Sequence, residues 1–238
     1  MYYAILAAGH GSRLKDEGLT TPKPFVKAGD ASLLDRLVSL LSARDDSTGL
    51  GVILNPDSLR WARENGADAS LSGIDHLVSV FTEGSMESLR ALAPSIRESG
   101  DSHFCLTTVD SVWDAREFSA YLKAFDDQKD DIDGLMAVTS YIDDDSPLWV
   151  AVDCDSEITG FRDTPPEDAR YVSGGVYLLP VSALDLLDDC HDRGLRRMRD
   201  FQRALIANGL RLKAYPFSVI IDVDRPRDLD AARRLFHS

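Results

Sequence analysis

The chain has 238 residues, 44% of them apolar, and a formal net charge of −14 from 26 Lys and Arg against 40 Asp and Glu. That length buries a large core in one α/β domain spanning 1–238, and no apolar run is long enough to cross a bilayer. The acidic balance argues against nucleic acid as a partner, because a phosphate backbone selects a basic face.

The opening segment, Tyr2 to Ala7, reads as an apolar strand that breaks at Gly9 and Gly11 and is followed by Arg13. Glycines after a strand let the backbone approach a polyphosphate and aim N–H groups at it. Arg13 can fork onto two phosphate oxygens, and Lys23, between two prolines, can add a point charge. His10 lies inside this loop and is open to either a phosphate contact or a spacer role. The start MYYAILAAG has no basic region ahead of its apolar stretch, so no secretory signal is expected. Three widely spaced cysteines, Cys105, Cys154 and Cys190, with no C-x-x-C, make a reducing cytoplasm the expected home.

Strands and helices then alternate. Ser32 to Ala43 carries a helical leucine stripe, with Ser32 and Asp35 spaced as a capping box. Gly51 to Leu54 predicts a strand, Pro56 to about Asn65 a helix closed by Gly66, and Leu77 to Phe81 a strand. Gly84 opens a helix through Ala93, where Pro94 is expected to bend or restart it. His103 to Val109 predicts a strand and Ala115 to Phe125 a helix. After Gly134 come strands at Leu135 to Tyr141, Leu148 to Val152, Ile158 to Phe161 and Gly175 to Leu179. Helices follow at about Ala183 to Asp189 and Arg197 to Ala207, then strands at Leu210 to Tyr215 and Val219 to Val223. A last helix runs from Pro226 to about Phe236. The order predicts an α/β fold: a mostly parallel, Rossmann-like sheet flanked by helices, with a strand-rich insertion in the second half. The basic clusters Arg193 to Arg203 and Arg225 to Arg234 read as solvated helix faces, and Asp143 to Asp145 as a solvated turn.

In open α/β sheets, ligands gather outside the carboxyl ends of the strands. Asp110, after the run FCLTTV, and Asp222, after VII, stand at such ends. Two carboxylates converging there suit Mg²⁺, a hard ion that shares oxygen ligands with substrate phosphates. Asp224 competes with Asp222 for this role. Ser12 and Ser85 have no recognisable base partner for nucleophilic catalysis.

The string LAAGHGSRL followed by TPKP resembles the N-terminal signature of the sugar-phosphate nucleotidyltransferases, which join a nucleoside triphosphate to a phosphate ester. TTVDSV, TEGSMESL, YVSGGVYLL and IIDVDRPRDLDAA resemble further segments of that family. The resemblance implies a nucleotide site from Leu6, Ala7, Ala8, Gly9, Gly11, Ser12, Arg13, Gly84 and Ser85. It implies metal ligands at Asp110 and Asp222, and Gly175 in the acceptor pocket. Ser173 stands where the family often has asparagine. The family's E-K-P string is replaced by Arg162, Asp163 and Thr164, so two readings are open for Arg162: a substitute for the missing lysine in the acceptor pocket, or a solvent-exposed arginine in a hairpin. The expected reaction is Mg²⁺-dependent nucleotidyl transfer between an NTP and a phosphorylated acceptor, with Arg13, Lys23 and Asp110 in catalytic roles. A glycosyltransferase using a finished nucleotide-sugar and a non-catalytic nucleotide-binding module remain as alternatives.

Overall fold

A computed structural model describes residues 1–9, 11–143 and 146–236; His10 and most of the Asp143 to Asp145 turn therefore lie outside the described residues. Strand β1 (Tyr2–Ala7) leads into a one-turn helix α1 (Ser12–Asp16) and a 3₁₀ turn at Lys23–Phe25. Helix α2 (Leu33–Ser42) starts from the expected capping box: Asp35 N–H donates to Ser32 Oγ at 3.1 Å, and Ser32 N–H donates to Asp35 Oδ2 at 3.0 Å. Two first-turn donors are thus satisfied by side chains of their own turn. Next come β2 (Gly49–Leu54), α3 (Pro56–Glu64), β3 (His76–Ser79) and α4 (Ser85–Glu98).

Helix α4 runs through Pro94 without a restart. Pro94 is on the exposed side, while Leu89, Leu92, Ala93 and Ile96 stay buried. The chain continues with β4 (His103–Thr108), β5 (Ser111–Val112), α5 (Ala115–Asp126), β6 (Gly134–Thr139), β7 (Trp149–Val152), β8 (Ile158–Arg162) and β9 (Tyr171–Pro180). After these come α6 (Leu186–Asp192), α7 (Met198–Ala207), β10 (Leu212–Phe217), β11 (Ile221–Asp222) and α8 (Pro226–Phe236). Among the described residues, no helix is long and apolar enough to cross a membrane.

The main sheet has the order β10-β6-β9-β4-β1-β2-β3, with the β7–β8 hairpin attached to β9. Within this order β9 alone runs against its neighbours, pairing antiparallel with β4 and β6. The hairpin supplies the strand-rich insertion. Residues alternate cleanly across β1: Tyr3, Ile5 and Ala7 enter one core with α2, α3, α5 and α8, while Tyr2, Ala4 and Leu6 enter the other with α4, α6 and α7. A strand buried on both faces must be apolar at every position, which is why the first strand reads YYAILA.

Two irregularities shape the strand ends. Between its pairings with Met136 and Val138, β9 carries two extra residues, Gly174 and Gly175. Gly175 has φ +73°, and a Cβ there would lie 2.1 Å from Ser111 Oγ and 2.8 Å from Thr108 Oγ1. Of the expected strand Val219 to Val223, only Ile221 and Asp222 pair, antiparallel to β5, in a separate two-stranded ribbon. The capping box gives a direct stability test. Ser32→Ala is expected to lower unfolding free energy by about 1 kcal/mol, read as a lower urea midpoint at unchanged slope; an unchanged midpoint would show that the cap contributes nothing.

Candidate active site

Two clefts open at the carboxyl ends of the central strands and share one wall. The first, of about 460 Å³, is lined by Leu6, Ala7, Ala8, Gly9, Gly11, Ser12 and Arg13 from the first loop, and by Lys23, Gly84 and Ser85. Gly9 has no neighbour within 4 Å of where a Cβ would stand, so the space beside it is kept clear of protein. Gly11 caps α1 with φ +58°, and its missing Cβ would sit only 3.1 Å from the Cβ of Lys23. Glycine is needed there twice over, for the backbone angle and for the close approach of Lys23. Gly84 begins α4 in extended conformation, where a Cβ would meet the Arg196 carbonyl oxygen at 2.4 Å. Met86 N–H donates to that same carbonyl at 3.2 Å, and Met198 N–H donates to Ser85 Oγ at 3.0 Å. The Gly84–Ser85 segment is therefore fastened to the start of α7.

The shared wall is made of charge. Asp110 follows β4, and the β5–β11 ribbon pairs Ser111 with Asp222, so the second carboxylate is carried next to the first. Val223 N–H donates to the Asp110 carbonyl at 3.0 Å, which closes the junction. Asp224 is oriented from behind by Asp228, whose Oδ2 accepts the backbone N–H groups of Asp224 and Arg225 at 3.0 and 2.7 Å. Lys23 Nζ lies between the carboxylates, 2.5 Å from Asp110 Oδ2 and 2.6 Å from Asp224 Oδ1. Arg13 pairs with the other oxygen of Asp224. Both cations singled out in the sequence thus meet on one aspartate that sequence reasoning kept only as a competitor for the metal.

The second cleft, of about 400 Å³, lies beyond this wall and is also lined by Arg13, Ser85, Asp110 and Asp224. Gly175, a candidate for the acceptor pocket, and Asp222, a candidate metal ligand, both line it. Arg162 does not: it is exposed on β8, outside both clefts, because its strand pairs with β7 away from the strand ends. The cleft is instead lined by Arg197 and Arg199 at the start of α7 and by Arg225 and Arg227 at the start of α8. These arginines belong to the two clusters read from sequence as solvated helix faces. Their alternation with apolar positions is that of an amphipathic helix, and only the fold reveals that both helix starts point at one cavity. Asp163, from the altered E-K-P segment, is held by Arg199 at 2.5 Å and Arg203 at 2.7 Å.

Electrostatics binds the cluster together. Burial alone would drive the Lys23 ammonium towards neutrality, but Asp110, Asp222 and Asp224 outweigh it and hold its pKa above the ordinary lysine value. Burial works to raise the Asp110 carboxyl, yet the Lys23 charge and hydrogen bond, with help from Thr108, keep it below the usual carboxylate range. One carboxylate oxygen from each of Asp110, Asp222 and Asp224 lies within 4.8 Å of the others. This all-oxygen donor set, all of it lining the second cleft, fits a hard divalent ion such as Mg²⁺.

A depressed Asp110 stabilises the native state above the ordinary carboxylate pKa, and that contribution is lost as pH falls through the folded value. An elevated Lys23 acts in the opposite sense, its contribution disappearing as pH rises past the folded value. Replacing the ammonium reverses the acid limb, because three carboxylates left facing one another bind protons more readily folded than unfolded. Lys23→Met is therefore expected to be destabilised at neutral pH, with its gap to wild type narrowing as pH falls towards about 4. Urea midpoints across that range check this, and a gap independent of pH would contradict it.

Comparison with known proteins places the chain in a family and a fold. The family model described as nucleotidyl transferase matches residues 3–232. Among solved structures, the chain is similar to the inositol-1-phosphate CTP transferase from T. maritima, with a TM-score of 0.78 at 18% identity, covering 99% of this chain and 94% of that one. It is also similar to HddC from Yersinia pseudotuberculosis, with a TM-score of 0.72 at 18% identity and 99% of both chains covered. A UDP-glucose pyrophosphorylase complexed with UDP-glucose gives a TM-score of 0.74 at 16% identity, covering 99% and 98% of the two chains. No curated protein sequence is significantly similar to the chain. At these identities the structural likeness speaks for the fold, and the family match over nearly the whole length speaks for kinship: the chain belongs to the nucleotidyl transferase family.

Proposed function

We propose that the protein is a Mg²⁺-dependent nucleotidyltransferase that joins an NTP to a phosphorylated small acceptor, a sugar 1-phosphate by preference, and releases pyrophosphate. The observation that carries this reading is the Lys23–Asp110–Asp222–Asp224 cluster where two clefts meet: Asp110 and Asp224 line both, Lys23 the first and Asp222 the second. Transfer between two anions calls for two binding spaces that meet at a point of compensating charge. The names of the similar structures, an inositol-1-phosphate CTP transferase and a UDP-glucose pyrophosphorylase, point to the same pairing of substrates.

In this reading the loop from Leu6 to Arg13 and the Gly84–Ser85 segment hold the nucleotide. Arg13 leaves Asp224 to fork onto the departing phosphates. Lys23 neutralises charge at the α-phosphoryl group as a phosphate oxygen of the acceptor attacks and pyrophosphate leaves in line. Asp224 keeps both cations aimed before substrate arrives. Asp110 and Asp222 hold Mg²⁺, which when bound screens the two anions from each other and polarises the reacting phosphate. On the acceptor side, Arg197 and Arg199 take the acceptor phosphate, and its organic part lies against the lining that includes Gly175 and Ser111, which pack on each other. The acidic exterior of the chain favours cytoplasmic solubility and gives anions no long-range attraction, so capture depends on these local cations.

The test is pyrophosphate release by purified protein with Mg²⁺ over a grid of common NTPs and phosphorylated sugars and alcohols. Release in one combination is expected, and Lys23→Ala or Asp110→Ala should cut it by at least ~100-fold with the fold retained. Full activity in either variant would overturn the assignment of roles. Clear NTP binding with no release in any combination would instead favour a non-catalytic nucleotide-binding module.

A further inference from the structure

Behind the glycine loop, on the side away from the cleft, one buried amide side chain touches three backbone groups. Asn55, 4% exposed, is the residue between β2 and α3. Its Nδ2 donates to the carbonyl oxygens of Ala8 at 3.2 Å and Gly9 at 3.3 Å. Its Oδ1 accepts the N–H of Ser58 at 2.8 Å and so caps α3. Ala8 and Gly9 line the first cleft, whereas Asn55 does not. In a trans peptide the C=O and the following N–H point in opposite directions, and the chain contains no cis peptide bond among the described residues. With the Ala8 carbonyl turned back onto Asn55, the Gly9 N–H is turned outward, towards the cleft side.

We propose that Asn55 is a positioning residue for nucleotide binding. It holds the carbonyls of the glycine loop against the core, so that the loop presents its amide face to phosphate before the ligand arrives. The inference rests on the reading of this loop as the nucleotide site. Asparagine suits the position by stoichiometry, because it offers two donors for two carbonyls and one acceptor for the helix start. Aspartate would keep the cap but set an oxygen against two carbonyl oxygens. Serine would keep the cap with too short a reach. The same atoms tie loop, strand end and helix start together, so the loop's orientation is prepaid in the unliganded protein, which is how preorganised donors gain strength.

The cap and the loop contacts separate experimentally because serine and aspartate rank with asparagine as helix caps. In full-length protein without nucleotide, Asn55→Ser is expected to leave α3 protected from hydrogen exchange while exchange rises in the peptide covering residues 5–9. With Mg²⁺ and the best-binding of the common NTPs, the Kd of Asn55→Ser and Asn55→Asp should rise about tenfold, the scale of one or two lost hydrogen bonds. The KM for the acceptor should not change. If both variants match wild type in loop exchange and NTP affinity, the positioning role falls while the nucleotide reading stands. If wild type itself binds none of the NTPs, the nucleotide reading fails and this inference fails with it.

Discussion

A buried ammonium among three carboxylates is the interaction on which the site depends. Lys23 is 8% exposed and sits where four separate pieces of chain meet: the glycine loop, its own 3₁₀ turn, the end of β4 and the segment after β11. A lysine is seldom buried without paired acids, and three acids seldom converge without a cation. Each requirement explains the other. Gly11 makes room for the lysine, the β5–β11 ribbon carries the acids to it, and Asp228 fixes the last of them from behind. The cluster is also a set of long-range struts, since Lys23 and Asp224 are joined across 201 positions of sequence.

Much of this was legible in the residues. The alternation of apolar runs with capped helical stripes yields the parallel sheet, and the doubly apolar β1 and the Ser32–Asp35 box appear as read. The lining of the first cleft was legible because its parts are contiguous: strand, glycine turn, arginine and lysine fall within two dozen positions. Asp110 could be found because it directly follows a strand. The misread features share a physical cause, which is that they depend on tertiary placement. Pro94 sits on the exposed side of α4, between the buried Ala93 and Ser95, and the helix passes through it, something no local rule encodes. The strand expected over Val219 to Val223 shrinks to two residues because its partner, β5, is too short to leave a periodic pattern.

The second cleft was the less legible of the two. Of the two readings open for Arg162, a substitute for the family lysine or a solvent-exposed hairpin arginine, its place is that of the second, exposed on β8 and outside both clefts. The positive charge lining the second cleft comes from the starts of α7 and α8, which are separated in sequence and indistinguishable there from solvated helix faces. With Asp163 engaged by Arg199 and Arg203, the altered segment has become part of the scaffold that steadies α7. The same helix start is bonded to Ser85, so the two clefts share backbone as well as charge.

The central claim is that the acidic cluster holds a divalent ion shared with the nucleotide. Titration with Mn²⁺ followed by electron paramagnetic resonance, with and without NTP, tests it most directly in wild type, Asp110→Asn and Asp222→Asn. The account predicts weak binding of Mn²⁺ alone, where Lys23 already occupies the centre of the cluster. It predicts tight binding of one ion per chain once NTP is present, lost in both variants. Mn²⁺ binding that ignores the nucleotide, or that survives both substitutions, would contradict it.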